Sequence, residues 1–263
     1  MDQYTVKELT PIIQNLQDLE DPLWDILEKD PRKSVHALLK RQGRLLESQK
    51  RLQEEHRQRL QYENEIYDNY PQALIAGIDE VGRGPLAGPV VAASVILPQE
   101  VDALVGVTDS KQLSRKDRQD FANRIQSVAI DYHVAIVEAS DIDRLNIYEA
   151  TRQAMAAAVK GLRHRPDVLL IDAMTLDLPQ KQRSLVKGDQ KSLSIAAASI
   201  LAKEVRDSMM EEYGHIYPEF GFDQHMGYGT AQHRQALKTY GYTPIHRRSF
   251  KPISDMTQVY SQG

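Results

Sequence analysis

Two short apolar segments that each end in carboxylates limit how this chain can fold. Residues 74–78 precede Asp79 and Glu80, and the apolar residues 168–171 precede Asp172. Neighbouring strand residues point to opposite faces of a sheet, so two consecutive acids at a strand end suggest a specific role such as a metal site. Any one of these acids is more simply a turn or capping residue. Acids ending two strands favour a shared site, because α/β sheets place ligands at strand ends.

Strand-like and helix-like segments alternate after residue 71, which is typical of an α/β domain. The predicted strands are residues 74–79, 90–97, 132–139 and 167–172. The predicted helices are residues 114–127, 148–162, 194–213 and 232–240. The polar tail, residues 251–263, is expected to be loose.

The first 70 residues predict a helical N-terminal extension, and residues 71–263 predict an α/β domain with a helical C-terminal part. Residues 1–30 hold eight Asp and Glu against two Lys and Arg, whereas residues 31–60 hold nine Lys and Arg against three Asp and Glu. Asp30 as N-cap and Pro31 at the first helical position predict one long basic helix over 31–70, ended by Pro71. This helix either grips substrate, stabilises the protein or docks a protein partner.

Composition limits which metals the chain could bind and in which cellular compartment we expect it. The chain has no cysteine, so a metal would sit on carboxylates or histidines, which favours Mg²⁺ or Mn²⁺. The net charge of -4 is unusual for a nucleic-acid binder, but the charges are segregated and a carboxylate metal site adds negative charge. There is no apolar run of membrane-spanning length and no signal peptide, so we expect a cytoplasmic protein without membrane contact.

Two further segments are candidates for the site. Gly82-Arg83-Gly84 is either a tight turn or a backbone that approaches a ligand closely, and its spacing fits neither a dinucleotide fingerprint nor a P-loop. Asp189 precedes an alanine-rich helix start, where an acid is often only a favourable helix charge. Because small residues let that helix pack closely on a sheet, Asp189 is also expected to lie near the other acids.

The C-terminal third contains histidines and a basic cluster. His225, His233 and His246 match no zinc spacing, so we interpret them as structural or phosphate-facing. Residues 246–251 form a basic patch, which is either a solvated surface or part of a face that binds a nucleic-acid backbone.

Six motifs and Asp172 follow one another along the chain, namely 77–85 (GIDEVGRGP), 109–114 (DSKQLS), Asp172, 187–189 (KGD), 196–203 (AAASILAK), 227–230 (GYGT) and 246–250 (HRRSF). In this order they closely resemble bacterial ribonuclease HII from about residue 74 to residue 250, which implies that residues 71–263 are its catalytic domain. The extension resembles that of ribonuclease HII from low-GC Gram-positive bacteria.

The resemblance implies a ribonuclease-H-like fold, with a central mixed sheet flanked by helices. It implies four catalytic, metal-binding carboxylates, which are Asp79, Glu80, Asp172 and Asp189. It also implies substrate contacts from the backbone of Gly82, Arg83 and Gly84 and from the side chain of Tyr228, with Ser110 and Lys111 as phosphate contacts by position.

The implied activity is that of a type II ribonuclease H, which degrades the RNA of RNA–DNA hybrids and incises 5′ of ribonucleotides embedded in duplex DNA. Such an enzyme takes part in ribonucleotide removal and primer processing. Two Mg²⁺ or Mn²⁺ ions with substrate bound would support the hydrolysis, leaving a 5′-phosphate and a 3′-hydroxyl. We expect a monomer whose partners are RNA–DNA hybrids and ribonucleotide-containing duplexes.

Two alternatives are considered. One is a hybrid nuclease like ribonuclease HIII, but that family has a lysine at the position of Arg83, a different fourth acid and an N-terminal sheet domain. The other is a hybrid-binding protein without catalysis, against which the intact set of acids argues.

Overall fold

The computed structural model describes residues 4–260, which divide into two compact units with the boundary between Arg57 and Gln58. The helices are α1 (Val6–Gln14), α2 (Pro22–Glu28), α3 (Lys33–Arg59), α4 (Gln61–Tyr67), α5 (Arg115–Val128), α6 (Ala139–Leu145), α7 (Ile147–Lys160), α8 (Leu193–Ile216), α9 (Phe222–His225), α10 (Ala231–Tyr240) and α11 (Ile253–Tyr260). The strands are β1 (Ile75–Val81), β2 (Val90–Ile96), β3 (Asp131–Val137), β4 (Val168–Asp172) and β5 (Lys181–Leu185).

The first unit is helical, as the sequence predicts. Thr5 begins α1 with a reciprocal capping box to Glu8, and the Asp21 carboxylate accepts the backbone N–H of Leu23 at the start of α2. Apolar residues from α1, α2, α3 and the segment after α1 form its core, namely Leu9, Ile13, Leu16, Leu27, Val35 and Leu39.

The single helix predicted over 31–70 is wrong at both ends. The helix does not begin at Pro31 but at Lys33, and the Asp30 carboxylate accepts the backbone N–H and guanidinium of Arg32 just before it. Leu60 then separates α3 from α4. Leu60 packs in one apolar cluster of the second unit whereas α4 packs its Tyr62 in another, so α4 forms a separate helix.

The second unit is built on a five-stranded sheet of order β3-β2-β1-β4-β5. The central strand β1 pairs antiparallel with β2 and parallel with β4, and β4 pairs parallel with β5. The predicted mixed sheet flanked by helices is therefore confirmed. Because β1 and β4 run in the same direction, their carboxyl ends meet at one edge of the sheet.

The alternation of side chains along β1 assigns a helix to each face. Ala76 and Ile78 pack in the cluster that contains Met155 of α7. On the other face α8 lies directly on Gly77, where an added Cβ atom would be 2.1 Å from the carbonyl carbon of Ser194. The close packing expected from the alanine-rich start of α8 is present, and it places the residues just before α8 beside the strand ends.

Several elements differ from the sequence prediction. The polar strand β5 and the short helices α6 and α9 were not anticipated. The tail is not loose from residue 251, because α11 forms and Ile253 is buried; residues 261–263 lie outside the described part. Within the described residues, none of the helices combines the length and apolar character that a membrane crossing requires.

Candidate active site

Three carboxylates converge where β1 and β4 end. Ile78 pairs with Ile171 in the parallel register, so the acids that follow, Asp79 and Asp172, stand side by side. Together with Glu80 they offer one oxygen each, all within 4.8 Å of one another. The structure therefore brings together the three acids that the sequence analysis expected to lie close to one another.

The negative charge of the three carboxylates exceeds the positive charge of the side chains around them. Burial raises the pKa of Asp79 well above its usual range, and the negative charges of Glu80 and Asp172 raise it further. Burial also raises the pKa of Glu80, although the Arg83 guanidinium 3.3 Å away opposes this. The Oε2 atom of Glu80 is buried with no hydrogen-bond partner among the described residues. Hard divalent cations, which prefer carboxylate oxygens, fit this donor set.

Asp189 lies beside this cluster rather than within the group of three. It is buried in a single 3₁₀ turn, Gly188–Gln190, just before α8. The backbone N–H of Gly188 donates to Oδ1 of Asp172 over 2.7 Å, which ties the turn to the cluster. Burial raises the pKa of Asp189, as do the negative charges of Asp109 and Asp172.

Asp109 is a neighbouring acid that the sequence reasoning did not single out. It is buried, and its carboxylate accepts the backbone N–H of Lys111 over 2.9 Å. No apolar strand precedes it, so the pattern that singled out Asp79 and Asp172 was absent. The predicted phosphate contacts next to it differ in exposure. Ser110 is 2% exposed with its hydroxyl 3.0 Å from that of Ser199, whereas Lys111 is exposed.

A glycine turn, residues 82–89, follows the acids, and the buried side chain of Arg247 binds its backbone. The Arg247 guanidinium donates to the carbonyl oxygens of Gly82, Arg83, Gly88 and Pro89. In a trans peptide the C=O and N–H point in opposite directions. Because the carbonyls of Gly82 and Arg83 point inward to Arg247, the N–H groups of Arg83 and Gly84 point away from it.

Arg206 supports the same turn from α8. Its guanidinium donates to the carbonyl oxygens of Ala87, Pro89 and Met226. Arg206 and Arg247 are both buried, and within the described residues neither forms an ion pair with a carboxylate. Burial lowers the pKa of Arg247 to about 9, and the positive charge of Arg206 contributes to that shift.

The basic patch predicted at residues 246–251 is therefore not a continuous surface. Arg247 is 0% exposed and His246 is 1% exposed. Arg248 is exposed, and its guanidinium lies 5.1 Å from the centroid of the Tyr242 ring. The carbonyl groups of the glycine turn account for the burial of Arg247, and nothing in the local composition distinguishes it from Arg248.

Tyr228 lies against the glycine turn. Its side chain is 48% exposed, and a Cβ atom added at Gly84 would be 3.6 Å from Cε1 of its ring. The two segments predicted to contact substrate, 144 positions apart in the chain, are thus adjacent in space. Gly84 leaves the space beside the ring open, which a larger residue would narrow.

Two buried histidines hold the backbone of Tyr228. The Thr243 N–H donates to Nδ1 of His246 over 2.9 Å, so the proton of a neutral His246 is on Nε2. That Nε2–H donates to Nε2 of His233 over 2.9 Å, and Nδ1–H of His233 donates to the Tyr228 carbonyl oxygen, also over 2.9 Å. Burial lowers the pKa of His246 to about 3 and lowers that of His233. These two histidines are structural, not phosphate-facing.

The family comparisons agree with this architecture. The family model described as Ribonuclease HII matches residues 76–253, and the model described as Ribonuclease HII N-terminal domain matches residues 5–67. The ribonuclease HII of Halalkalibacterium halodurans is 48% identical over 252 residues, covering 95% of this chain and 95% of that protein.

Solved structures show the same fold. The ribonuclease H2 of Pyrococcus horikoshii OT3 has a TM-score of 0.63 at 28% identity and covers 72% of this chain and 99% of that one. The Bst ribonuclease HIII in complex with Mn²⁺ has a TM-score of 0.54 at 19% identity, covering 73% of this chain and 71% of that one, which shows a shared fold alone. From the family models and the extent of the match to its relatives, we conclude that the chain belongs to the ribonuclease HII family of type II ribonuclease H enzymes.

Proposed function

We propose that this enzyme degrades the RNA of RNA–DNA hybrids and incises duplex DNA on the 5′ side of embedded ribonucleotides. The observation that carries the proposal is that the acid cluster and the glycine turn adjoin each other. A cluster of acids, of which Asp79 is buried and Glu80 and Asp172 are half-buried, lies at the ends of β1 and β4. The glycine turn, with Tyr228 beside it, follows β1 directly in the chain. A phosphodiester bound at the acids would have its ribose within reach of the turn.

Asp79, Glu80, Asp172 and Asp189 would hold the ions as catalytic residues. Two Mg²⁺ or Mn²⁺ ions would neutralise the scissile phosphate and support attack by water, giving a 5′-phosphate and a 3′-hydroxyl. Asp79 would be the central ligand, because it is buried and lies beside both Glu80 and Asp172. The carboxylate oxygens of these residues are the ligands that hard divalent ions prefer, which supports this choice of ion.

The glycine turn would identify the ribonucleotide. The outward N–H groups of Arg83 and Gly84 are suited to a 2′-hydroxyl, the group that separates RNA from DNA. The exposed ring of Tyr228 offers a stacking surface for the adjoining sugar or base. Lys111 is exposed and suited to a phosphate, whereas Ser110 would have to leave Ser199 to make such a contact.

The extension would add electrostatic attraction for the duplex. Lys33, Lys40, Arg41 and Arg44 are exposed on the first half of α3. Charge reversal at Lys40, Arg41 and Arg44 should reduce the salt dependence of hybrid binding, by about one unit of slope for each phosphate that the protein no longer neutralises. An unchanged slope would favour docking of a protein partner or a stabilising role. We also propose that the protein is a monomer and acts in the cytoplasm. A chain without cysteine is compatible with the reducing conditions there, and so are nucleic-acid substrates.

The decisive experiment is cleavage of a DNA duplex that carries one ribonucleotide, with products mapped to the nucleotide. We expect one cut, 5′ of the ribonucleotide, that requires Mg²⁺ or Mn²⁺. Cleavage on the 3′ side, equal cleavage of an all-DNA duplex, or full activity in EDTA would each contradict the proposal.

A further inference from the structure

A buried carboxylate in α4 contacts the start of α8. Glu63 is 4% exposed although it lies in a segment rich in polar residues. Its Oε1 accepts from the hydroxyl of Ser192 over 2.6 Å, from the hydroxyl of Ser194 over 2.7 Å and from the backbone N–H of Ser194 over 3.1 Å. The carboxylate therefore accepts three hydrogen bonds from residues at the N-terminal end of α8.

The two serines join α8 to the turn that carries Asp189. Ser192 is the N-cap of α8, and its backbone N–H donates to the carbonyl of Gly188 over 2.8 Å. Gly188 in turn donates its N–H to Asp172. A short path of hydrogen bonds thus leads from Glu63, through Ser192 and Gly188, to one of the three clustered acids.

Anchoring α4 does not by itself explain a buried acid. Tyr62 and Ile66 already pack α4 against the cluster that contains Ile75 and Ile195. Removing a carboxylate from water is costly, and burial raises the pKa of Glu63 even though the serine hydrogen bonds oppose the shift. An apolar residue at this position would anchor α4 without that cost, so the contacts to the serines need a separate reason.

We propose that Glu63 is a positioning residue for the metal centre. By holding Ser192 and Ser194 it fixes the turn before α8, so that the Asp189 carboxylate stays beside the cluster and the Gly188 N–H stays on Asp172. The segment that links the N-terminal extension to the sheet domain thereby contributes to the metal site. This inference rests on the proposed metal-dependent function.

The test is Mn²⁺ affinity, measured by calorimetry on the full-length chain without nucleic acid. Glu63→Ala should weaken Mn²⁺ binding by about 10–100-fold, the usual loss when an outer-shell partner is removed. Glu63→Gln should restore most of the affinity, because its amide oxygen still accepts from both serines. Glu65→Gln is the matched control on the same helix, since Glu65 pairs with Arg183 away from the serines, and it should bind Mn²⁺ as wild type does.

A purely structural role would lower the melting temperature of Glu63→Ala and leave Mn²⁺ affinity unchanged in the folded protein, which would overturn the proposal. Should Glu63→Ala not fold, Ser194→Ala replaces it, with a several-fold loss of affinity expected and wild-type affinity as the contrary result. If wild type binds Mn²⁺ but does not cut a ribonucleotide-containing duplex, the proposed function fails, while the affinities still decide the role of Glu63.

Discussion

The acid cluster and the glycine turn are neighbours in the chain but are held by opposite electrostatic arrangements. Asp79, Glu80 and Asp172 face one another in a buried site, and Arg83 on Glu80 is the nearby cation. The turn rests on two buried guanidinium groups, Arg206 and Arg247, whose donors are used on carbonyl oxygens. The first region offers carboxylate oxygens suited to cations, whereas the donors of the second are used within the protein itself.

This difference separates stability from chemistry. In the acid cluster, like charges close together in a partly buried site oppose folding, so removing one acid should not cost stability. In the turn, a lost guanidinium leaves buried carbonyls without donors, which costs stability directly. The two regions should therefore respond to substitution in opposite ways.

The largest expected effect is on catalysis. Asp79→Asn should reduce cleavage of a single-ribonucleotide duplex by more than the roughly 10–100-fold typical of losing an outer-shell partner. Its melting temperature in EDTA should be at least that of wild type, because a repelling charge is removed. Asp177→Asn, at an exposed acid, is the control and should change neither quantity. Wild-type turnover in Asp79→Asn would remove Asp79 from the site.

The turn should fail in the opposite way. Arg247→Lys keeps a positive charge and up to three donors but loses the planar fork, so one or two of the carbonyls are left unsatisfied at about 1–3 kcal/mol each. We expect a loss of about 2–3 kcal/mol in the free energy of unfolding, measured with urea, and a weaker preference for ribonucleotide-containing duplexes. Arg248→Lys at the exposed neighbour should be neutral. A wild-type unfolding curve for Arg247→Lys would contradict the role assigned to the fork.

Tyr228 should affect recognition without affecting the metal site. Stacking contributes about 1–3 kcal/mol, so Tyr228→Ala should weaken discrimination between ribonucleotide and DNA duplexes roughly 5- to 150-fold. Tyr228→Phe keeps the ring and should lose little. Equal loss on all substrates, or weaker Mn²⁺ binding, would assign Tyr228 to general binding or to the acid cluster instead.

The smallest effect concerns pH. The pKa of His246 is lowered to about 3 in the folded protein, against about 6.5 when unfolded, so the unfolded chain takes up the proton first as pH falls. Its contribution to stability is present above about pH 6.5 and is lost progressively from there towards about pH 3. Between about pH 7.5 and pH 5.5 this should cost about 1 kcal/mol.

The acids with raised pKa values shift stability in the other direction, so the measurement is a difference. Urea unfolding of wild type and of His246→Asn at both pH values isolates the histidine. Wild type should lose about 1 kcal/mol more than the variant over this range. The same pH dependence in both proteins would mean that His246 titrates normally.

Much of the fold followed from pattern. The apolar runs before Asp79 and Asp172 predicted β1 and β4, and Ser114 predicted the start of α5, where its hydroxyl accepts the N–H of Asp117. The strand β5 was missed because four of its five residues, Lys181 to Ser184, are polar. The pairing with β4, rather than an apolar face of its own, makes this segment a strand.

The acids and glycines of the site could be predicted from the sequence, but the residues that hold them in place could not. Carboxylates at strand ends and glycines after them are visible as local patterns, whereas Glu63, Arg206, Arg247 and His246 act through partners distant in sequence. Arg247 and Arg248 are chemically alike and adjacent, yet only the first is buried. That choice depends on where the carbonyls of the glycine turn lie in space, which no local pattern encodes.

The contrast between the two regions is tested most directly by binding. Dissociation constants would be measured in EDTA for a duplex with one ribonucleotide and for the all-DNA duplex, in wild type, Asp79→Asn and Arg247→Lys. We predict that Asp79→Asn keeps the wild-type ratio of the two constants although it does not cleave, and that Arg247→Lys reduces the ratio. Loss of the ratio in Asp79→Asn, or its full retention in Arg247→Lys, would contradict the division of the site into a metal-binding and a ribose-recognising part.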